Sequence, residues 1–420
     1  MLKTLEISRF KSIRALKLEL GRVNLFIGGN GSGKSNVLEA VGLVSACVDQ
    51  GLRGSDLERK GMRLSPPELM KSAHKNEALP KTFGFKADFE CGVKYNCSLT
   101  SSENDPLLRF FSEVCTFEGK TQFGRSGAGS KVLGKSIYTG LNKNRGMWDQ
   151  VKVAFPFEDE IEHVFSEFGR YAIYTPQTDF LRGKKGGIID TQPIGLHGEG
   201  LPTAALSVIR ASNQSKNKKL KKLSDRALDL IWLPKWAKEA RVGKIDTKLV
   251  SLDVADPSED MVYFIDKYMR EGRNTLSAYD SSEGTLFLLF VAVLLAHFDA
   301  PRYFALDNVD NALNPSITRK LVEMIIEMTD KVHEDELDFG PKQVFLTSHN
   351  PTSLDAFDLF NDDHRVFVVT RNEKGHTVAE RLKPKDGMSQ DDWAIAMQGK
   401  NLSQLWLDGM IAGANGPGDI

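Results

Sequence analysis

The chain has 420 residues, 41% of them hydrophobic and 26% charged, enough apolar material for a substantial buried core in two or three domains. Lys plus Arg number 55 against 56 Asp plus Glu, a formal charge of -1, so any affinity for nucleic acid must come from a local patch and not from the field of the whole molecule. Four cysteines without a CxxC pair, no signal-peptide core in "MLKTLEISRFKSIR", and a longest apolar run ("LFLLFVAVLLA", Leu286 to Ala296) of about half a bilayer-spanning helix exclude a disulfide scaffold and a membrane span, and point to a reducing cytoplasm.

In chain order, "LKTLEISRF", "IRALKLEL" and "VNLFIGG" alternate with the period of strands, and the third runs into a Gly-rich turn. A helix is expected from about Lys34 to Cys47. Residues 50–80 are polar and broken by Gly and Pro, as an insertion would be. "KTFGFKADFE", "VKYNCSLTS" and "CTFEGK" then predict an antiparallel meander, a β-lobe beside the first strands. "SKVLGKSIYTGLNKNRG" has the composition of a mobile loop, "DEIEHVFSEFG" that of a helix and "YAIYTP" that of a buried strand. Helical patterning is expected from Pro202 to Arg241, and strands at "TKLVSLDV" and "DMVYFID". The remainder alternates: a helix at Leu286, a strand at "RYFALD", a helix over roughly Ser316 to Val332, a strand at "QVFLTS", a short helix at "SLDAFDLF" and a hairpin at "RVFVVTRNEKGHTVAERL". This alternation predicts an α/β sheet covered on both faces.

"GGNGSGKS", Gly28 to Ser35, satisfies G-x-x-x-x-G-K-[ST] and lies between a predicted strand and a predicted helix. In that context backbone N-H groups and the helix N-terminus converge on phosphate oxygens, Lys34 neutralises them, and the Ser35 hydroxyl can ligate magnesium. Such a loop needs a second acidic element. "YFALD" supplies it, with Asp307 at the end of a strand, opposite Ser35. Ser282, before the Leu286 helix, reads as an N-cap, with Glu283 and Gly284 just inside. "QVFLTSHNP" delivers His349 to a strand end, from which an imidazole could touch a γ-phosphate.

These segments in this order resemble the ABC-type ATPase heads of the RecF, SMC and OLD-like group, especially the short ATPase subunits of bacterial anti-phage and abortive-infection systems of the Septu type and similar. The resemblance implies an α/β fold: an ABC-type P-loop head with a mixed sheet core, an antiparallel β-lobe and a small helical insertion in place of a coiled coil. It divides the chain into a first ATPase lobe (1–200), a helical insertion with connecting strands (201–270) and a second lobe (271–420). ATP and Mg²⁺ are the implied cofactors. Asn30, Gly31, Ser32, Gly33, Lys34, Ser35 and Asn36 would hold the nucleotide. Ser282 and Gly284 would be a degenerate signature offered in trans by a second copy, so that two heads dimerise head to tail or assemble further. Ser35, Asp307 and the Q-loop candidate Gln177 would serve the metal, and His349 would be the switch histidine.

Asn308 departs from the resemblance, because the family normally has glutamate there to polarise the attacking water. Asparagine can orient a water but cannot accept its proton at neutral pH. The expected function is therefore an ATP-gated regulatory or sensor subunit of a defence complex with weak or absent hydrolysis. It would control a separately encoded effector, a nuclease by expectation, since the residues after "SHNP" are too few for a Toprim domain. The alternative is a DNA-binding repair ATPase, with Lys216, Lys218, Lys219, Lys221 and Lys222 as the surface for nucleic acid. No membrane partner is expected. Asp362 and Asp363 read as a solvated turn.

Overall fold

The computed structural model describes residues 1–102, 105–137, 140–183, 193–251, 259–384, 387–397 and 399–411. They form two compact units of discontinuous chain: Met1–Ile173 with Tyr303–Asp307 and Gln343–Ile420, and Tyr174–Arg302 with Asn308–Lys342.

The first unit contains the sheet that positions the site. Its strands run in the order Ala172–Tyr174, Tyr303–Leu306, Gln343–Ser348, Val23–Ile27, His364–Arg371, Thr377–Leu382. The four middle strands pair in parallel and the last two form an antiparallel hairpin. Every residue of Val23–Ile27, Tyr303–Leu306 and Gln343–Ser348 is buried. Val23–Ile27, read from the sequence as alternating, is thus buried on both sides, because parallel strands in an α/β sheet are covered on both faces. The Lys34–Val48 helix follows the first of them, and it too is buried over nearly its whole length.

The β-lobe belongs to the same unit. Eight antiparallel strands run in the order Ile13–Glu19, Leu2–Phe10, Thr82–Phe89, Val93–Ser102, Asp105–Phe117, Lys120–Ser126, Gly129–Val132, Lys135–Ile137. The Asp159–Phe168 helix packs Phe165 and Phe168 against Phe89, and Phe165 also meets Tyr95, Phe123 and Trp148. Glu113 and Arg125 form a buried ion pair of 2.7 Å. Glu113 also accepts from Tyr95 Oη and from the Met147 N-H, while Arg125 donates to the Asn142 and Arg145 carbonyls. The four cysteines are free thiols.

The second unit holds a three-stranded antiparallel sheet (Ala237–Lys244, Asp260–Asp266, Thr275–Ser277) and the helices Leu201–Gln214, Lys218–Leu228, Glu283–Ala296 and Pro315–Glu334. Gly284 to Ala296 are all buried, so the longest apolar run is a core helix, as expected. Among the described residues no helix is long and apolar enough to cross a membrane.

The structure corrects several local readings. Ala237–Lys244 is a strand where helix was expected to continue to Arg241, because it pairs with Asp260–Asp266. The strand expected at "TKLVSLDV" is a turn and bend over Thr247–Val250, with residues 252–254 outside those described. The supposed mobile loop after Ser130 contains the paired strands Gly129–Val132 and Lys135–Ile137, closed by Leu133 and Gly134, both at positive φ. "SLDAFDLF" gives only a 3-10 turn, Pro351–Ala356.

Because the Glu113 carboxylate has no access to water, Glu113→Ala leaves the Arg125 charge buried and uncompensated. Urea unfolding should show a loss of about 3–5 kcal/mol; a loss below about 1 kcal/mol would refute the view that this pair anchors the lobe.

Candidate functional site: a phosphate loop facing an aspartate

The loop from Gly28 to Ser35 leaves the end of Val23–Ile27 and enters the Lys34–Val48 helix. Gly33 occupies the N-cap position at φ 111°, and a Cβ there would stand 2.2 Å from Thr377 Oγ1. Only glycine fits, on both backbone and packing grounds. No side chain caps this helix and its first turn holds no acidic residue of its own. Asn30 and Gly31 are exposed at the loop tip. Ser32 Oγ is buried without a hydrogen-bond partner, a polar group in the loop that the protein itself does not satisfy.

Lys34 is buried, and its ammonium donates to the Gly28 and Gly29 carbonyls at 2.8 and 3.0 Å, curling back over its own loop. His349 Nδ1 lies 3.3 Å from the same ammonium. Ser35 Oγ donates to Asp307 Oδ2 at 3.0 Å, and Thr347 Oγ1 donates to the other carboxylate oxygen. The structure thus brings Lys34, Ser35, Asp307 and His349 together from three separate segments. A hydroxyl beside a carboxylate, with a lysine next to them, fits Mg²⁺ held largely through phosphate and water, which needs only one or two protein ligands.

A polar chain behind the loop escaped the sequence reading. Arg63 Nη2 donates to Asn36 Oδ1 (2.8 Å), Asn36 Nδ2 to Ser12 Oγ (2.6 Å), Ser12 Oγ lies 2.7 Å from Thr377 Oγ1, and Thr377 donates to the Ser32 carbonyl (2.8 Å). Arg371 Nε donates to the Gly31 carbonyl at 3.0 Å. Asn36, expected beside the nucleotide, is thereby the hub of this chain. Glu39, one turn along the same helix, is buried and takes Lys11 and Arg63. Burial would raise its carboxyl, but the Arg63 hydrogen bond and the Lys11 charge outweigh this and hold it below the usual carboxylate range. The one visible signal was a glutamate inside the apolar string "VLEAV".

Ser282, Gly284, Gln177, Asn308 and the lysines Lys216 to Lys222 lie in the second unit. Ser282 occupies the N-cap position of the Glu283–Ala296 helix, but its side chain makes no capping bond. Gly284 abuts the Asp310–Pro315 loop, because a Cβ would stand 2.8 Å from the Ala312 carbonyl oxygen. Gln177 lies with its backbone N-H on the His197 carbonyl and its amide 3.5 Å from His197 Nδ1. Asn308 has φ 62°, a left-handed conformation that asparagine tolerates better than other side chains, and its carbonyl accepts from the Asn311 N-H. The five lysines from Lys216 to Lys222 are exposed; Lys219 donates to the Asp335 carbonyl. Asp362 and Asp363 are tied to Arg381 and Arg22 respectively, which accords with a structural turn.

Solved structures that resemble the chain include an SMC head domain and a recombination mediator protein. The SMC head domain from Thermotoga maritima is 15% identical, with 91% of this chain and 99% of that chain covered and a TM-score of 0.37. The recombination mediator protein RecF-ATPrS of the RecFOR pathway is 14% identical, with 91% and 98% covered and a TM-score of 0.32. No curated protein matches. Residues 23–355, from the strand before the phosphate loop to just past His349, match the family model described as "AAA domain, putative AbiEii toxin, Type IV TA system", and the chain belongs to that family.

Proposed function

We propose that this protein binds ATP with Mg²⁺ and uses the bound nucleotide as a regulatory state, with little turnover. The observation that carries the reading is the Ser35 to Asp307 hydrogen bond with Lys34 and His349 beside it. When bound, Mg²⁺ would supply charge neutralisation to the nucleotide's phosphates. Lys34 would exchange the Gly28 and Gly29 carbonyls for phosphate oxygens, and Ser35 and Asp307 would orient the metal. His349 would hold its ring against the γ-phosphate end.

Asn308 would then orient a water without taking its proton. Loss of a general base typically lowers a rate by about 10²- to 10⁴-fold. The backbone gives a reason for asparagine at this point, since glutamate at φ 62° would be strained by about 1 kcal/mol. Slow turnover and a left-handed turn are served by the same residue.

The family description, with its reference to a toxin, supports placement in abortive-infection defence. On this reading two copies close head to tail, the segment at Ser282 and Gly284 of one facing nucleotide held by the other. ATP occupancy restrains an effector encoded separately, for which a nuclease is the proposed class.

Lys34→Ala should abolish nucleotide binding in equilibrium dialysis, because no other side chain in the loop carries positive charge. Undiminished affinity would remove the site. Steady-state hydrolysis by the wild type should be slow, and Asn308→Glu should raise it despite a small stability loss. A fast wild-type rate that Asn308→Ala leaves unchanged would show that the base lies elsewhere. Gel filtration with ATP and with ADP should give different assemblies; identical profiles would favour a passive scaffold.

A further inference from the structure

Two residues that hold the phosphate loop flank one tight turn of the first unit. Thr377 donates to the Ser32 carbonyl, and Gly33 packs so closely that a Cβ there would stand 2.2 Å from Thr377 Oγ1. Arg371 donates to the Gly31 carbonyl and to the Gly375 carbonyl. Between them Asn372 closes the turn: its Oδ1 accepts from the Lys374 and His376 N-H groups, and its N-H donates to the His376 carbonyl. A shift of this turn therefore shifts the loop.

The His376 ring, at the end of the turn, meets the His74 ring edge to face with centroids 4.3 Å apart. His74 belongs to the polar segment 50–80, which is docked here by Ser72: its N-H donates to the Arg9 carbonyl and its Oγ reaches the Lys11 and Ile13 carbonyls. His376 Nε2 lies 2.9 Å from Glu77 Oε1, and Arg14 Nε donates to the other carboxylate oxygen at 2.9 Å. His74 Nε2 is buried and has no hydrogen-bond partner among the described residues. The charged groups acting on His74 are His376 and Arg371 from the hairpin, Arg14 from Ile13–Glu19 and Glu77 from its own segment. One carboxylate thus faces two arginines and two imidazoles. Burial, and after it the charge of His376, hold the His74 imidazole below the usual histidine range. The sign follows: the folded chain disfavours a proton on His74, so this contact is intact above pH about 6.5 and is lost as pH falls from there.

We propose that His74 and His376 form an acid-sensitive latch on the phosphate loop: when both rings carry a proton they repel, and the displaced turn draws Thr377 and Arg371 off the loop carbonyls. A single proton on His376 leaves the latch shut, because Glu77 answers it at 2.9 Å. The second proton has no carboxylate of its own to meet. Histidine is the side chain whose ordinary pKa places such a change near neutral pH. The loop then grips phosphate at neutral pH and loosens in acid, a consequence that rests on the reading of the site as one for nucleotide. Linkage makes the effect reciprocal, so bound nucleotide, by fastening the loop, makes the His74 proton harder to add by the same factor.

The latch is tested on the full chain, first without nucleotide, by amide hydrogen exchange at about pH 7.5 and about pH 5.5, either side of the histidine range, with rates corrected for the intrinsic pH dependence of exchange. In the wild type, segments 29–35 and 372–378 should lose protection about ten-fold in acid, the factor that corresponds to one unit of pKa shift. Affinity for a fluorescent ATP with Mg²⁺ should fall over the same range by about that factor more than it falls in His74→Gln. His349 and the nucleotide's own phosphates titrate too, but they are the same in both proteins. His376→Gln should flatten both responses as His74→Gln does, and the double variant should flatten them no further, because the two rings act as one unit. Wild-type protection that does not change with pH, or acid loosening that persists in His74→Gln, overturns the proposal. Failure to bind nucleotide at about pH 7.5 would refute the nucleotide reading alone, and the exchange comparison would still decide the latch.

Discussion

The register of three parallel strands fixes the chemistry of the first unit. Leu306 pairs with Leu346, and Ile27 with Ser348. Asp307 therefore emerges level with Thr347, and Gly28 level with His349, at one edge of the sheet. Side chains alternate along a strand, so a slip of one residue would turn Thr347 or its neighbours to the opposite face and break the contact to Asp307. The apolar content of "VNLFI", "YFAL" and "QVFLTS" sets this register by burial, and the carboxylate and hydroxyls ride on it.

Around that edge, the loop is held from behind. The His364–Arg371 and Thr377–Leu382 hairpin contributes Arg371 to the Gly31 carbonyl and Thr377 to the Ser32 carbonyl, while Ser12 and Asn36 continue the chain towards Arg63. Carbonyls tied down in this way hold the loop's backbone in place, and within it the Ser32 N-H turns back to the Gly29 carbonyl. Lys11 and Arg63 keep Glu39 ionised in an apolar setting, and the two arrangements meet at Arg63, which donates to both Glu39 and Asn36. A buried carboxylate with two cationic partners is satisfied, whereas one alone would destabilise the helix that carries the loop.

The segment "YFALDNVDNALNP" joins chemistry to backbone economy. Its first four residues are a buried strand, Asp307 ends one segment of the first unit, and Asn308 opens the Asn308–Lys342 segment of the second in a left-handed turn. Ala312 is also left-handed, and Asn314 caps the Pro315–Glu334 helix by accepting from the Ile317 N-H. Three of the positions in this loop are therefore explained by turn and cap geometry before any catalytic role is considered. The asparagine in place of a base and the asparagine suited to the turn are one residue, and the proposal of slow turnover rests on both.

Much of this was legible in the sequence because it is local. The phosphate loop is a contiguous string, its flanking strand and helix announce themselves by apolar pattern, and Asp307 and His349 stand at strand ends that hydrophobicity alone marks. What was not legible depends on residues far apart in the chain. Arg63, Ser12, Thr377 and Arg371 are ordinary surface-type residues until folding brings them to the loop, and pairing across a sheet leaves no periodic trace. The strand at Ala237–Lys244 was misread for the same reason, since its hydrogen-bond partner lies beyond Glu259. The sequence by itself determined the strands, the loop and the residue types because backbone preference and burial act over a few neighbours. The tertiary structure decided which of those residues face one another, because register and packing are set by contacts that no local pattern encodes.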